Sequence, residues 1–327
     1  MNNIAIITSG GDVSGMNPAL KHFVEIALAN DLTPYFVYDG YDGLIDNNIK
    51  KATYQDVAGI MTKGGTIIGS ARSKRFLEKK YRAIAKENLD NLKIDKLIVL
   101  GGDGSFRGLH KFYEEHKIVF CGIPATIDND INKTEYCLGV DTALNIIRNA
   151  IDSIRDTASS FKRAFVIETM GRDCGYLAAV SHLTSGSELC VIPEYPIKLS
   201  AFTQNFKLQL QNGRRYFITI VAEGAKTQAN EVANWFENEI GIESRVTVLG
   251  HIQRGGNPSS YDRLMAYKFV SQAFENLVSK KIDESIICYT KEGFVSHSID
   301  EVTQEVKKLD NELLKYIQES SLKDLSQ

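Results

Sequence analysis

Short apolar runs alternate with longer amphipathic stretches along the chain. "NIAIITS" is followed by a helical pattern from Gly15 to Asn30, and "TPYFVYD" comes next. "DKLIVLGG" precedes a helical pattern from Ser105 to His116, and "KIVFCGI" precedes another from Gly139 to Ser159. "RAFVIET", "ELCVIPE", "RYFITIVAEG" and "SRVTVLG" continue the series, each followed by a helix-like or loop segment. Apolar runs without in/out alternation predict strands buried on both faces. Strands separated by helices predict an α/β fold with mainly parallel sheets. Leu144, Ile147, Ile151 and Ile154 recur at helical spacing and are read as core. The C-terminal "VTQEVKKLDNELLKYIQESSLKDLSQ" is helical in pattern, with an end expected to fray.

In parallel α/β sheets, ligands bind beyond the carboxyl ends of the strands. The loops there carry most of the glycines and polar residues: "SGGDVSG", "LGGDGSFRG", "PATIDND", "TMGRDCG", "AEG" and "GHIQRGG". Gly10, Gly11, Gly101, Gly102 and Gly104 let the backbone approach a ligand, and a following helix N-terminus offers free N–H groups and a positive dipole to phosphate. Such turns also occur for purely steric reasons, but two of them together suggest a polyphosphate. No GxxxxGK[ST] and no properly spaced GxGxxG occurs, which disfavours a P-loop NTPase and an ordinary dinucleotide dehydrogenase. Asp103 lies where phosphates would bind. It is either a helix cap or a carboxylate facing the phosphates through Mg²⁺.

The stretch "IPATIDNDI" closes an apolar run with a threonine and two acids. If it is extended, Thr126, Asp128 and Asp130 share one face while Ile127 and Asn129 take the other. A calcium loop is excluded, because Lys133 and Gly139 stand where that loop needs glycine and glutamate. An Asx-rich turn explains the composition but not the strand before it. The remaining reading makes one carboxylate a proton acceptor for an attacking hydroxyl, the other a helper of the metal, and Thr126 a contact of a transferred phosphoryl group. Arg72, Arg163, Arg172, Arg245 and Arg254 all sit at loop or strand ends. Each alone is more easily a surface ion-pair partner, but five in such places suit phosphate recognition.

Composition narrows the setting. The chain has 327 residues, 43% of them hydrophobic and 24% charged, enough for two domains with a sizeable core. A net charge of -3 with scattered basic residues gives no nucleic-acid or polybasic membrane surface. The five cysteines form no CxxC and suit buried, reduced thiols, and the six histidines show no metal spacing. The N-terminus runs straight into a strand, and no apolar segment approaches membrane-spanning length. A cytoplasmic location is expected.

With these residues assembled, the sequence resembles the bacterial ATP-dependent 6-phosphofructokinase family over nearly its whole length. "TSGGDVSGMN", "YDGYDGL", "KGGTIIGSAR", "GGDGS", "PATIDNDI", Met170-Gly171-Arg172 and "TVLGHIQRGG" occur in family order and spacing. The resemblance implies two similar three-layer α/β domains: a nucleotide-binding one over 1–138 plus about 251–305, and a sugar-phosphate one over 139–250 plus about 306–327. It also implies a homotetramer with sites shared between subunits, Mg²⁺ with ATP, and fructose 6-phosphate as acceptor. Asp128 would be the general base, Asp130 its support, Asp103 the Mg²⁺ ligand, and Thr126 and Arg172 contacts of the transferring group. Gly10, Arg72, Ser73, Gly102, Gly104 and Ser105 would hold the nucleotide. Met170, Gly171, Glu223, His251 and Arg254 would hold the sugar phosphate, with Arg163 and Arg245 reaching in from a neighbouring subunit.

Departures from the family pattern carry information. Ala125 stands where the family usually has Gly and pyrophosphate-dependent relatives Lys, and Gly104 stands where those relatives have Asp. Both departures favour ATP. Ser73 replaces an aromatic present in some relatives, which loosens the expected adenine preference. In the family's effector pocket Lys21, Arg155, Glu188, Arg214 and Arg215 match, but Glu25 and Tyr54 replace arginines and Gly59 replaces an aspartate. Glu for Arg repels a multiply charged effector, so weak or absent regulation by ADP and phosphoenolpyruvate is expected. The competing readings are a pyrophosphate-dependent enzyme, an inactive phosphate sensor on the same fold, and a lipid or NAD kinase. Gly104 opposes the first and the presence of Asp103 and Asp128 the second. The third leaves the TIDND and HIQRGG loops unexplained.

Overall fold

The computed structural model describes residues 3–279 and 283–322. Two compact units divide the chain: residues 1–142 with 254–307, and residues 143–253 with 308–327.

In the first unit the strands are β1 (Asn3–Thr8), β2 (Thr33–Val37), β3 (Ile49–Lys51), β4 (Ile94–Gly101) and β5 (Val119–Pro124). The unit's helices before the chain crosses over are α1 (Met16–Ala29), α2 (Gly40–Ile45), α3 (Lys79–Asn91) and α4 (Asp103–His116). The unit boundary falls within α5 (Val140–Ser160). The second unit contains β6 (Ala164–Thr169), α6 (Tyr176–Ser185), β7 (Leu189–Val191), α7 (Thr203–Gln211), β8 (Phe217–Ala222), α8 (Ala229–Trp235) and β9 (Ser244–Val248). The chain then adds α9 (Ser260–Ser279), β10 (Glu284–Thr290), β11 (Gly293–His297) and α10 (Ile299–Thr303) to the first unit, and α11 (Asn311–Leu322) to the second.

The first sheet has seven strands in the order β11-β10-β5-β4-β1-β2-β3, and the second has four in the order β7-β8-β6-β9. Every pair is parallel except the two edge pairs of the first sheet, β10–β11 and β2–β3. The apolar runs explain this arrangement. Ile4 to Ile7 of β1, Leu97 to Leu100 of β4 and most of β8 are buried on both faces, as central strands between helix layers must be. The second unit packs Phe206, Phe217, Trp235 and Phe236 into one aromatic cluster, with Phe206 ring centroids 4.8 Å from Phe217 and 5.2 Å from Trp235.

Two expectations need correction. The segment after β5 is not extended. Ile127 and Asp128 lie in a turn and Asn129 takes φ 52°, so alternation does not place Thr126, Asp128 and Asp130 on one face. The Asn129 side chain explains the bend: its Nδ2 donates to the Glu135 carbonyl at 3.0 Å and its Oδ1 accepts from the Cys137 amide at 3.0 Å. The C-terminal helical pattern is broken between Thr303 and Asn311, and its expected frayed end from residue 323 lies outside the described residues. The two sheets hold seven and four strands.

Candidate active site

Two loops of the first unit come together because β4 and β5 are paired neighbours. The Ala125 amide donates to the Gly101 carbonyl at 2.9 Å, so the Gly101–Ser105 turn and the Thr126–Asp130 turn leave the sheet side by side. A Cβ on Gly102 would lie 3.8 Å from the Thr126 Cβ. Asp128 is 1% exposed, and Thr126 and Asp130 are half-buried. Asp262, buried at the start of α9, shapes the chain that follows. It accepts from the Tyr136 hydroxyl, from the Gly139 amide at 2.7 Å and from the Thr142 amide at 2.8 Å. Burial pushes its carboxyl pKa up despite these donors.

The loop after β1 joins the same cluster. Ser105 Oγ donates to Ser9 Oγ at 2.9 Å, and a Cβ on Gly10 would lie 3.3 Å from Ser105 Oγ. Ser70 Oγ donates to the Gly10 carbonyl at 2.9 Å and the Gly10 amide to the Ala71 carbonyl at 3.3 Å, which brings the Arg72 segment alongside. Arg72 itself is exposed. Ser73 takes a structural role: its hydroxyl donates to Asp42 at 2.7 Å and accepts from the Phe76 amide at 3.1 Å. Arg254 belongs to this unit too, with its guanidinium against Gly11 and donating to the Asp12 carbonyl at 3.3 Å.

Asp103 opens α4. Its carboxylate is 42% exposed and paired with Arg107 of the same helix at 2.8 Å. Among the described residues, no heavy atom beyond Gly104's chain neighbours and its own helix backbone lies within 4 Å of where a Cβ on Gly104 would stand, which leaves space beside this helix N-terminus.

In the second unit, the turn after β6 carries Met170, Gly171 and Arg172. Gly171 has φ 142° and Arg172 φ 50°, both in the region that disfavours side chains. Glu223, just beyond β8, accepts from the Gly171 amide at 3.2 Å and the Arg172 amide at 2.8 Å. The Arg172 side chain is left exposed. Glu168 on β6 has a raised pKa, first from burial and then from the charge of Glu223. His251, exposed, sits in the short helix Gly250–Arg254 after β9.

Arg163 and Arg245 converge on Glu243, a residue the sequence reading did not single out. Arg163 Nε donates to its carboxylate at 2.7 Å and Arg245 is paired with the other oxygen. The first guanidinium, then the second, holds the Glu243 pKa below the usual range. Glu194, accepting from the Gly175 amide at 2.8 Å, was missed too, as was Gln253. Such acids brace distant backbone or side chains and leave no local spacing signal. A glutamate two residues before a suspected phosphate arginine was the one cue for Glu243.

The proposed effector residues lie in both units. Lys21 is in the first, paired with Glu25 at 2.6 Å one turn along α1. In the second, Arg214 pairs with the buried Glu188, which also accepts from the Ile218 amide at 2.5 Å. Arg155 donates to the Ser185 carbonyl at 2.5 Å, and Arg215 is exposed.

The phosphofructokinase family model matches residues 3–277. The chain belongs to the phosphofructokinase family. It is 66% identical to an ATP-dependent 6-phosphofructokinase of Sulfurimonas denitrificans, over 97% of this chain and 99% of that one. It is 50% identical to one of Wolinella succinogenes, over 89% and 91%. Among solved structures, a phosphofructokinase from Saccharomyces cerevisiae superposes with a TM-score of 0.88 at 31% identity. That match covers 99% of this chain and 48% of the yeast chain, so this chain spans about half its length. A pyrophosphate-dependent phosphofructokinase from Marinobacter aquaeolei superposes at 0.83 with 20% identity, over 98% of this chain and 91% of that one, a likeness of fold. The α/β fold with mainly parallel sheets expected from the sequence is the fold of this family.

Proposed function

We propose that this protein transfers the γ-phosphoryl group of ATP to the 1-hydroxyl of fructose 6-phosphate, giving fructose 1,6-bisphosphate, a glycolytic step. The observation that carries the reading is the Ala125–Gly101 hydrogen bond that sets the start of α4 beside the Thr126–Asp130 turn, in a chain 66% identical to an enzyme named ATP-dependent 6-phosphofructokinase. Gly10, Arg72, Gly102, Gly104 and Ser105 cradle the nucleotide, with α4 directing its N-terminal amides at phosphate oxygens. Ser73 serves by fixing the Arg72 segment through Asp42.

Asp128 accepts the proton of the 1-hydroxyl as that oxygen bonds to the γ-phosphorus and the bond to the β-phosphate bridging oxygen breaks. Phosphoryl transfer through a loose transition state asks mainly for alignment and charge neutralisation. Thr126 and Arg172 steady the transferred group, and Asp130 supports the carboxylate. Asp103 fits Mg²⁺, since one half-exposed carboxylate beside an open phosphate cradle matches how that ion is held. The ion would neutralise charge on the phosphates.

Met170, Gly171, Glu223, His251 and Arg254 take the sugar phosphate. In a homotetramer, Arg163 and Arg245 serve a neighbouring subunit's sugar 6-phosphate, which displaces Glu243 from their guanidiniums. ATP is favoured over pyrophosphate by the open space at Gly104 and by Ala125, 2% exposed, which supplies no cation. No helix among the described residues is long and apolar enough to cross a membrane, and we place the enzyme in the cytoplasm. Regulation by ADP and phosphoenolpyruvate is weak, because Glu25 neutralises Lys21 and Glu188 engages Arg214.

Steady-state turnover of fructose 6-phosphate with Mg-ATP and with Mg-pyrophosphate, each repeated with ADP and with phosphoenolpyruvate, tests the reading. Turnover with ATP on a curve neither effector moves is expected. Turnover with pyrophosphate alone refutes the donor assignment, and a curve shifted by micromolar effector refutes the weak regulation.

A further inference from the structure

Gln253 lies in the "HIQRGG" loop between an exposed isoleucine and an arginine, yet it is only 1% exposed. An amide is buried at a cost unless both its ends are hydrogen-bonded. Here both are: Oε1 accepts from the Met170 amide at 3.2 Å, and Nε2 donates to the Gly250 carbonyl at 3.0 Å. The partners also fix the amide's orientation, since a flip would set N–H against N–H and oxygen against oxygen.

The position of the first bond matters. β6 ends at Thr169, so the next three amides, those of Met170, Gly171 and Arg172, have left the sheet. Gln253 takes the first and Glu223 the other two. Those bonds hold a turn that places Gly171 and Arg172 at positive φ, a conformation unfavourable for the non-glycine Arg172. The second bond of Gln253 ties the same turn to the start of the helical turn that carries His251.

We propose that Gln253 is a positioning residue that joins the Met170–Arg172 turn to the Gly250–His251 turn through the two ends of its amide, so that the sugar-phosphate and phosphoryl contacts are set as one group. It touches no reacting atom itself. The proposal rests on the sugar-phosphate reading of those turns.

Gln253→Met removes both bonds at similar volume, and Gln253→Glu keeps the acceptor for Met170 while setting a carboxylate against the Gly250 carbonyl. Both are compared with the wild type in initial-rate assays at several pH values. For Gln253→Met we expect the KM for fructose 6-phosphate to rise about tenfold or more and kcat to fall, with the KM for Mg-ATP within about twofold, the pattern of a misplaced contact group. For Gln253→Glu we expect the fructose 6-phosphate KM ratio to the wild type to fall as pH drops from 8 to 6. Burial raises the pKa of the introduced carboxyl, and its protonated form can again donate to Gly250. A residue that only fills space would give no pH-dependent ratio. If Gln253→Met fails to fold, the Gln253→Glu profile decides alone. An unchanged KM in Gln253→Met, a KM raised equally for both substrates, or a flat Gln253→Glu ratio overturns the proposal. A wild type that phosphorylates no fructose 6-phosphate overturns the activity and this role with it.

Discussion

Two turns occupy the same topological place, one beyond β4 in the first unit and one beyond β6 in the second, and they are held in opposite ways. The Gly101–Ser105 turn flows directly into α4: its Ser105 amide donates to the Gly102 carbonyl at 3.0 Å, and the Asp103 and Gly104 amides stand in the first turn of the helix, where backbone donors have no carbonyl one turn earlier to bond. The Met170–Arg172 turn enters no helix until Tyr176, and its amides are taken by Gln253 and Glu223 from other loops. In the proposed function the first turn meets phosphate through its backbone. The second spends its backbone on holding shape, and the proposed function gives its phosphoryl contact to the Arg172 side chain.

The contrast can be broken most severely at Gly224. A Cβ there would lie 1.8 Å from the Arg172 carbonyl oxygen, a backbone atom that cannot swing away. Gly224→Ala should displace the Arg172 turn, lowering kcat about 100-fold or more in steady-state assays, along with a lower melting temperature. Next comes Asp103→Asn, which leaves the other turn folded. The KM for Mg-ATP should rise about tenfold while that for fructose 6-phosphate stays put, as titration of Mg²⁺ at fixed ATP would show. Smaller still is Gly104→Ala. With no heavy atom of the described residues outside its own helix within 4 Å of its Cβ, and a helical backbone, it should stabilise the fold by about 0.5–1 kcal/mol in urea unfolding.

The smallest effect concerns Glu168. Its folded-state pKa is raised, so between the unfolded and folded values the folded state keeps a proton the unfolded chain has lost. Stability therefore falls as pH rises through that window above the ordinary value of 4.5. Glu168→Gln should flatten this slope and gain less than about 1 kcal/mol at neutral pH, read from melting curves at pH 4 to 8.

The sequence made the first turn far more legible than the second. Glycines, Asp103 and a following amphipathic stretch are adjacent in the chain, and the strands around them are continuous apolar runs. What holds the second turn is 51 residues away in the case of Glu223 and 83 in the case of Gln253, distances at which no periodicity connects acceptor and amide. The same limit explains Glu243, whose meaning depends on Arg163 lying 80 residues away. The face shared by Thr126, Asp128 and Asp130 was misread because Asn129 bends the chain through side-chain bonds to Glu135 and Cys137. The edge strands β3 and β11, and β10 beside β11, were not anticipated either. β3 has only three residues, and β11 alternates weakly because neither of its faces is fully buried.

Asp128→Asn tests the central claim most directly, since the substitution keeps the shape of a buried side chain and removes its ability to take a proton. With saturating Mg-ATP and fructose 6-phosphate, kcat should fall about 10²- to 10⁴-fold while both KM values and the melting temperature stay near those of the wild type. A variant that turns over at the wild-type rate would contradict the account and remove Asp128 from the chemistry.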